Sequence, residues 1–256
     1  MLDAVLRRPQ TVSIIALVVL IGLAWAWLLT GVGMGGMATG GMAMDGMAMP
    51  MSTSWSPGRY ALTFAMWWIM MVAMMLPSAA SAILLYARVA RHSDDAGRMA
   101  TGYFLGGYLA AWGLFSALAT LLQHGLEWAG YLAAETMASQ DRAFSAAVLI
   151  AAGLYQLSPL KDACLHRCQS PAQFLSRHWR AGTFGAVRLG LLHGAFCVGC
   201  CWMLMALLLV GGIMNLAWIA VLTAIVAAEK LLAWGRWVAV VSGLACLAWG
   251  VGLAMA

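Results

Sequence analysis

The 256-residue sequence predicts an all-α polytopic membrane protein, a bundle of six to seven transmembrane helices with a cytoplasmic N-terminus. Three observations carry this. Hydrophobic residues make up 64% of the chain and charged residues 9%, whereas a soluble domain has about 25% charged residues. A water-soluble enzyme or a DNA-binding domain is therefore excluded at the outset. The apolar residues fall in runs of bilayer length, for which one helix needs about 20 residues. The basic residues, finally, collect on alternate connections between those runs.

Taken in order, the first run covers residues 11–29 and follows Arg7-Arg8. It is too long for the core of a secretory signal peptide, and Ala38-Thr39-Gly40 lies too far beyond it for a cleavage site. Residues 1–30 are thus expected to form an uncleaved N-terminal anchor, and residues 31–59 a Met/Gly-rich outer loop. Residues 60–256 form the expected metal-binding helical domain, with runs at 60–86, 100–122, 143–158, 189–210, 213–228 and 237–255. A cytoplasmic loop at 159–188 divides them. The fourth run is short, and six crossings result if it is re-entrant. Gly211-Gly212 separates the fifth run from the sixth, which suffices for a tight turn because glycine reaches positive φ without a Cβ penalty. No internal repeat suggests a paired transporter architecture.

With the N-terminus inside, the inner segments hold twelve basic residues: Arg7, Arg8, Arg88, Arg91, Arg98, Lys161, Arg167, Arg177, Arg180, Arg188, Lys230 and Arg236. The outer ones hold two, Arg59 and Arg142. This is the positive-inside pattern. The net charge of +5 is therefore an orientation signal, not a nucleic-acid footprint.

The chain carries 19 Met and 6 Cys. Seven Met fall in the outer loop, GMGGMATGGMAMDGMAMPM, with Met42, Met44, Met47 and Met49 at its centre. Thioether sulfur is a soft neutral ligand that favours Cu(I) over hard cations. The alternative is a low-complexity linker. In the second run, MWWIMMVAMMLPSA, successive helical residues turn by about 100°. Met66, Met70 and Met74 then share one face, and Met71 and Met75 the adjacent one. Met is also an ordinary core residue, so packing is the competing explanation. Pro77 just beyond is placed to kink the helix and free a carbonyl.

The sharpest pattern is HGAFCVGCC in the fifth run. His193, Cys197, Cys200 and Cys201 fall within an arc of about 100° on a helix. Ionisable groups at that depth are costly unless partnered, which marks a functional stripe. Counting about 1.5 Å per residue puts this stripe and Met70–Met75 both near the bilayer midplane. A third group, KDACLHRC, holds Cys164, His166 and Cys168. On a helix the two Cys would share a face while His166 turned away, so joint ligation requires a loop. Lys161 and Arg167 would help keep these thiols ionised. Two thiolates and an imidazole suit Cu(I), or part of a zinc site. Cys246 reads as core. Glu229-Lys230 ends the sixth run and reads as a snorkelling interfacial pair, with gating or proton coupling by Glu229 as the alternative.

At MWWIMMVAMMLPSA, SPLKDACLHRC, HGAFCVGCCWMLM and GGIMNLAWIAVLTAIVAAEKLL the sequence resembles a bacterial family of predicted metal-binding integral membrane proteins, a domain of unknown function. The resemblance covers residues 60–251 and leaves out the Met-rich loop. It implies a six-to-seven-helix bundle that binds metal through the Cys and His positions, and it implies no reaction.

The ligands run from Met outside, through Met and Cys in the bilayer, to Cys and His inside. This order predicts a Cu(I)-binding protein of a bacterial inner membrane, with zinc the alternative metal. Its expected partners are the lipid bilayer, the copper ion and a metallochaperone or metalloenzyme. Import-directed copper transport or copper delivery follows, and no enzyme activity. Nothing resembles a nucleotide-binding loop. The competing readings are a thiol-disulfide oxidoreductase using Cys197 and Cys200, and a non-transporting anchor for metalloprotein assembly.

Overall fold

A computed structural model describes residues 9–30, 55–90, 97–133 and 137–255. Met42, Met44, Met47 and Met49 lie outside these residues. The described chain forms ten helices: α1 (Pro9–Thr30), α2 (Pro57–Val89), α3 (Gly97–Trp128), α4 (Arg142–Gln156), α5 (Pro159–Gln169), α6 (Pro171–His178), α7 (Gly182–Ala206), α8 (Leu208–Gly211), α9 (Leu216–Leu231) and α10 (Gly235–Met255). Among the described residues the only β-structure is an isolated bridge between Leu132 and Ser139.

The helix starts follow from local chemistry. Ser56 precedes Pro57 and accepts from the Arg59 amide at 3.3 Å. Ser158 precedes Pro159 and accepts from the Lys161 amide at 3.2 Å. Asn215 accepts from the Trp218 amide at 3.1 Å. Each satisfies an amide that the first helical turn leaves without an acceptor. The expected turn between the fifth and sixth runs is present, with Gly212 at φ 88°.

Five helical segments are long and apolar enough to cross a membrane: residues 11–30, 57–89, 100–128, 182–211 and 235–255. A sixth arises if α4 and α5, which meet at 62°, act as one broken span. The count of seven took the fourth and sixth runs as full crossings. They form helices of 15 and 16 residues, about 24 Å at most against a core of about 30 Å. The bend after α4 has a clear cause. The carbonyls of Gln156 and Leu157 at the end of α4 accept from the Arg236 guanidinium at 3.0 and 3.4 Å. Arg236 in turn pairs with Asp162 at 2.6 Å. The start of α10 thus staples the α4–α5 corner. The expected loop at 159–188 is largely helical, being α5 and α6.

Helix α2 is the axis of the bundle, with Met66, Met70, Met71, Met74 and Met75 all buried. Pro77 has no N–H for the Ala73 carbonyl one turn back. The Trp25 indole of α1 donates to that carbonyl at 3.2 Å. Trp25→Phe keeps most of the ring and strands the carbonyl. It is expected to lower stability by about 1 kcal/mol, measured as a shift of the unfolding midpoint in detergent. An unshifted midpoint would mean that another donor serves Ala73.

Helices α3 and α7 approach too closely for a side chain to stand between their backbones. A Cβ on Gly190 would stand 2.0 Å from the Phe104 carbonyl oxygen, and one on Gly107 would stand 2.2 Å from that of Val187. Small residues at such crossings bring backbones together in membrane bundles. At the end of α3 away from α5 and α6, Glu127 accepts from Arg59 at 2.9 Å, Trp55 at 3.1 Å and Gln123 at 2.8 Å. The Trp67 indole donates to Gln123 at 2.8 Å and so ties α2 to α3.

Candidate functional site

The α3–α7 approach carries Tyr108 onto the cysteine stripe. Its hydroxyl lies 3.1 Å from Cys197 Sγ and also reaches the Met75 carbonyl at 3.4 Å. Cys197, Cys200 and Cys201 are all buried on the inner face of α7, as the helical arithmetic required. Cys200 and Cys201 each direct their thiol back to the Cys197 carbonyl, at 3.1 and 2.9 Å. Cys201 Sγ also stands 3.8 Å from Met75 Sδ. The methionine face of α2 and the cysteine face of α7 therefore meet, as their matched depths suggested.

Lys230 occupies the centre of this meeting point. Its Nζ lies 2.9 Å from Cys197 Sγ, 3.6 Å from Met75 Sδ and 3.9 Å from Cys201 Sγ. The residue is 7% exposed. The snorkelling reading of Glu229-Lys230 is thus overturned, because α5 covers the end of α9. Gln169 at the end of α5 donates to the Glu229 carbonyl at 2.6 Å and ties that end of α9 to α5.

Glu229 turns the other way. It accepts from Lys161 Nζ at 2.6 Å and from Gln156 Nε2 at 2.7 Å. Lys161 also donates to Gln156 Oε1, and Gln156 Nε2 reaches Ser242 Oγ at 2.7 Å. Lys161 and Glu229 are 0% and 1% exposed. Lys161 was expected to hold the nearby thiols ionised; it serves Glu229 instead. It and Lys230 are also removed from the surface charges that the orientation argument counted.

His193 lies one turn before Cys197 on the same face of α7. It packs among Phe104, Tyr108 and Phe174, with ring centroids 6.1, 5.9 and 5.3 Å away. Its Nδ1 is buried and has no hydrogen-bond partner among the described residues. A buried ring nitrogen without a partner is rare in a finished core.

The KDACLHRC segment divides. It is helical in α5, so the loop that joint ligation by Cys164, His166 and Cys168 needed is not formed, and His166 is exposed. The half-buried Cys168 thiol lies near enough to those of Cys197 and Cys200 to couple to them electrostatically. Cys164 packs at Gly199, where an added Cβ would stand 3.0 Å from its Sγ. Two groups that read as separate in sequence are thus neighbours in the fold. All six cysteines are free, and Cys246 is half-buried against the core. Met70, Met71 and Met74 are fully buried on the same helix as Met75. Met71 stands one turn from Met75 on its face.

Among the described residues no three His, Cys, Asp or Glu side chains are already disposed around one metal position. What is assembled is a set of sulfur donors, two thiols and a thioether, around a single positive charge. Tyr108 and Lys230 were not anticipated as site residues. The Gly190-x-x-x-Gly194 spacing could have pointed to Tyr108, since it marks where α7 admits a close neighbour. A lysine ending an apolar helix carries no sequence signal that separates buried from snorkelling.

A family model described as PpoB2: Copper chaperone matches residues 64–253. No curated protein and no solved structure matches the chain.

Proposed function

The chain belongs to the PpoB2 copper chaperone family, and from that premise we propose that it holds Cu(I) within a bacterial inner membrane and delivers it to a partner metalloprotein. The observation that carries this reading is the sulfur environment of Lys230 Nζ. Three sulfur atoms, from Cys197, Cys201 and Met75, lie within 3.9 Å of one buried positive charge. A position that already accepts a monovalent cation among soft donors suits Cu(I), which favours thiolate and thioether ligands in low coordination numbers.

The accessory groups fit the same reading. Cys168 supplies a further thiol from α5, and the unpartnered His193 nitrogen is an available donor. Cys164 and Cys168 lie on the short helix at one end of the bundle, where an ion leaving the core first meets a further sulfur pair. With the N-terminus inside, that end faces the cytoplasm, and the Met-rich segment collects copper on the opposite side. Movement from thioethers toward thiolates then runs inward, and delivery or import shares this path.

The test is copper bound per purified protein after anaerobic Cu(I) loading. We expect the wild type to retain copper and Cys197/Cys200/Cys201→Ser to lose it. Unchanged stoichiometry in the triple variant would refute the site. Copper uptake into sealed vesicles separates transport, which fills the lumen, from delivery, which leaves copper on the protein until an acceptor is added.

A further inference from the structure

We propose that Lys230 is a tethered stand-in for the metal: its ammonium occupies the copper position in the metal-free protein and is expelled when Cu(I) binds. This inference rests on the copper reading above and adds how the site is kept closed and exchangeable between loads.

The argument begins with charge. Lys230 is buried, and its hydrogen-bond contacts at Nζ are the sulfur atoms of Cys197, Met75 and Cys201. The adjacent carboxylate, Glu229, is held by Lys161 and Gln156 on the other side of α9. It is therefore not the counter-charge of Lys230. A buried cation needs compensation by nearby groups, and here those groups are sulfur and the Tyr108 hydroxyl beside Cys197. The same sulfur atoms are the soft donors that Cu(I) requires.

Geometry then makes the two occupants exclusive. A metal within bonding distance of Cys197, Cys201 and Met75 would overlap the space that Nζ fills. Two positive charges there would repel strongly in a medium of low polarity. With Cys197 as the one thiolate in both states, and Cys201 and Met75 as neutral sulfur donors, exchange of one monovalent cation for another releases no proton and leaves the total charge of the buried cluster unchanged. The ammonium therefore supplies in the empty state what the ion supplies in the loaded state. A lysine is suited to this, being a compact charge on a flexible four-carbon stem. The backbone need not move. Gln169 pins the Glu229 carbonyl at 2.6 Å from α5, so the amine leaves by rotation of its own side chain.

The consequence is a site tuned for release. Every departure of copper is assisted by an amine that returns to the vacated position, which a carrier needs and a storage site does not.

The chain has only two lysines, Lys161 and Lys230, so amine chemistry reads this directly. The purified full-length protein in detergent is treated with an amine-acylating reagent, with and without Cu(I), and each lysine is quantified by mass spectrometry. We expect Cu(I) to raise labelling of Lys230 at least ten-fold, while Lys161, in its ion pair, changes less than two-fold. Copper bound in the same sample with Lys230 labelling unchanged or lowered would overturn the proposal. No copper bound would instead refute the copper reading, and this inference with it. X-ray absorption of copper-loaded wild type and Lys230→Met closes the remaining route. The nitrogen contribution is expected to be equal in the two. Loss of one nitrogen in the variant would make the amine a ligand, and the stand-in role would fail.

Discussion

Cys197→Ser is expected to weaken Cu(I) binding by at least 100-fold, about 2.7 kcal/mol, measured by competition with a chromophoric Cu(I) chelator. Cys197 is the sulfur on which the rest converge. Lys230 Nζ lies 2.9 Å from it, the Tyr108 hydroxyl lies 3.1 Å from it, and the Cys168 thiol on α5 couples to it electrostatically. Its backbone carbonyl also receives the thiols of Cys200 and Cys201. Serine replaces a soft donor by a hard one that Cu(I) does not favour, with little change in volume. Cys246→Ser, on α10 and outside these contacts, is expected to change affinity less than two-fold. The two variants together separate loss of a ligand from general loosening of the bundle. Equal weakening in both would mean that serine acts through packing and that Cys197 is not the central donor.

The part of this site that was legible in the sequence is the part that depends on a single helix. His193, Cys197, Cys200 and Cys201 could be placed on one face from the turn per residue alone, and Met75 could be set at their depth from the rise. His166 could be separated from Cys164 and Cys168 by the same arithmetic, once the segment was known to be helical. What needed two or more helices was not legible. Cys168 reaches the stripe only because the chain bends by 62° after α4. That bend is held by Arg236, about eighty positions further on. Tyr108 reaches Cys197 because Gly107 and Gly190 let two backbones nearly touch. Lys230 is buried because Gln169 and α5 cover the end of α9, and no local pattern around Glu229-Lys230 records that cover. The fold class followed from apolar run length. The number of crossings did not, because run length does not reveal where a helix breaks.

The Lys161–Glu229 pair sets up the second large effect, on stability. Both side chains are at most 1% exposed, and they meet at 2.6 Å beside Gln156. Removing one partner from such a pair leaves the other charge buried without compensation, at a cost of about 3–5 kcal/mol. Lys161→Met is therefore expected to destabilise the protein by about that amount, read as the shift in unfolding free energy in a denaturing-detergent titration. Glu229→Gln should be comparable, since it strands Lys161 in the same apolar surroundings. The decisive variant is the double one. Lys161→Met/Glu229→Gln removes both charges, keeps the volumes similar, and leaves Gln156 an amide to bond with. It is expected to cost only about 1 kcal/mol, which makes the coupling in the cycle larger than either single loss. Additive losses would show that the two residues act independently, through packing alone. Recovery would show that the pair is needed for charge balance rather than for its attraction. That balance also bears on the sulfur site. So long as Lys161 holds Glu229, the carboxylate on α9 is kept from the neighbouring Lys230, and the ammonium stays among the thiols. The double variant removes this carboxylate as well as its partner, so Cu(I) affinity in it should stay within about three-fold of wild type, roughly 0.7 kcal/mol.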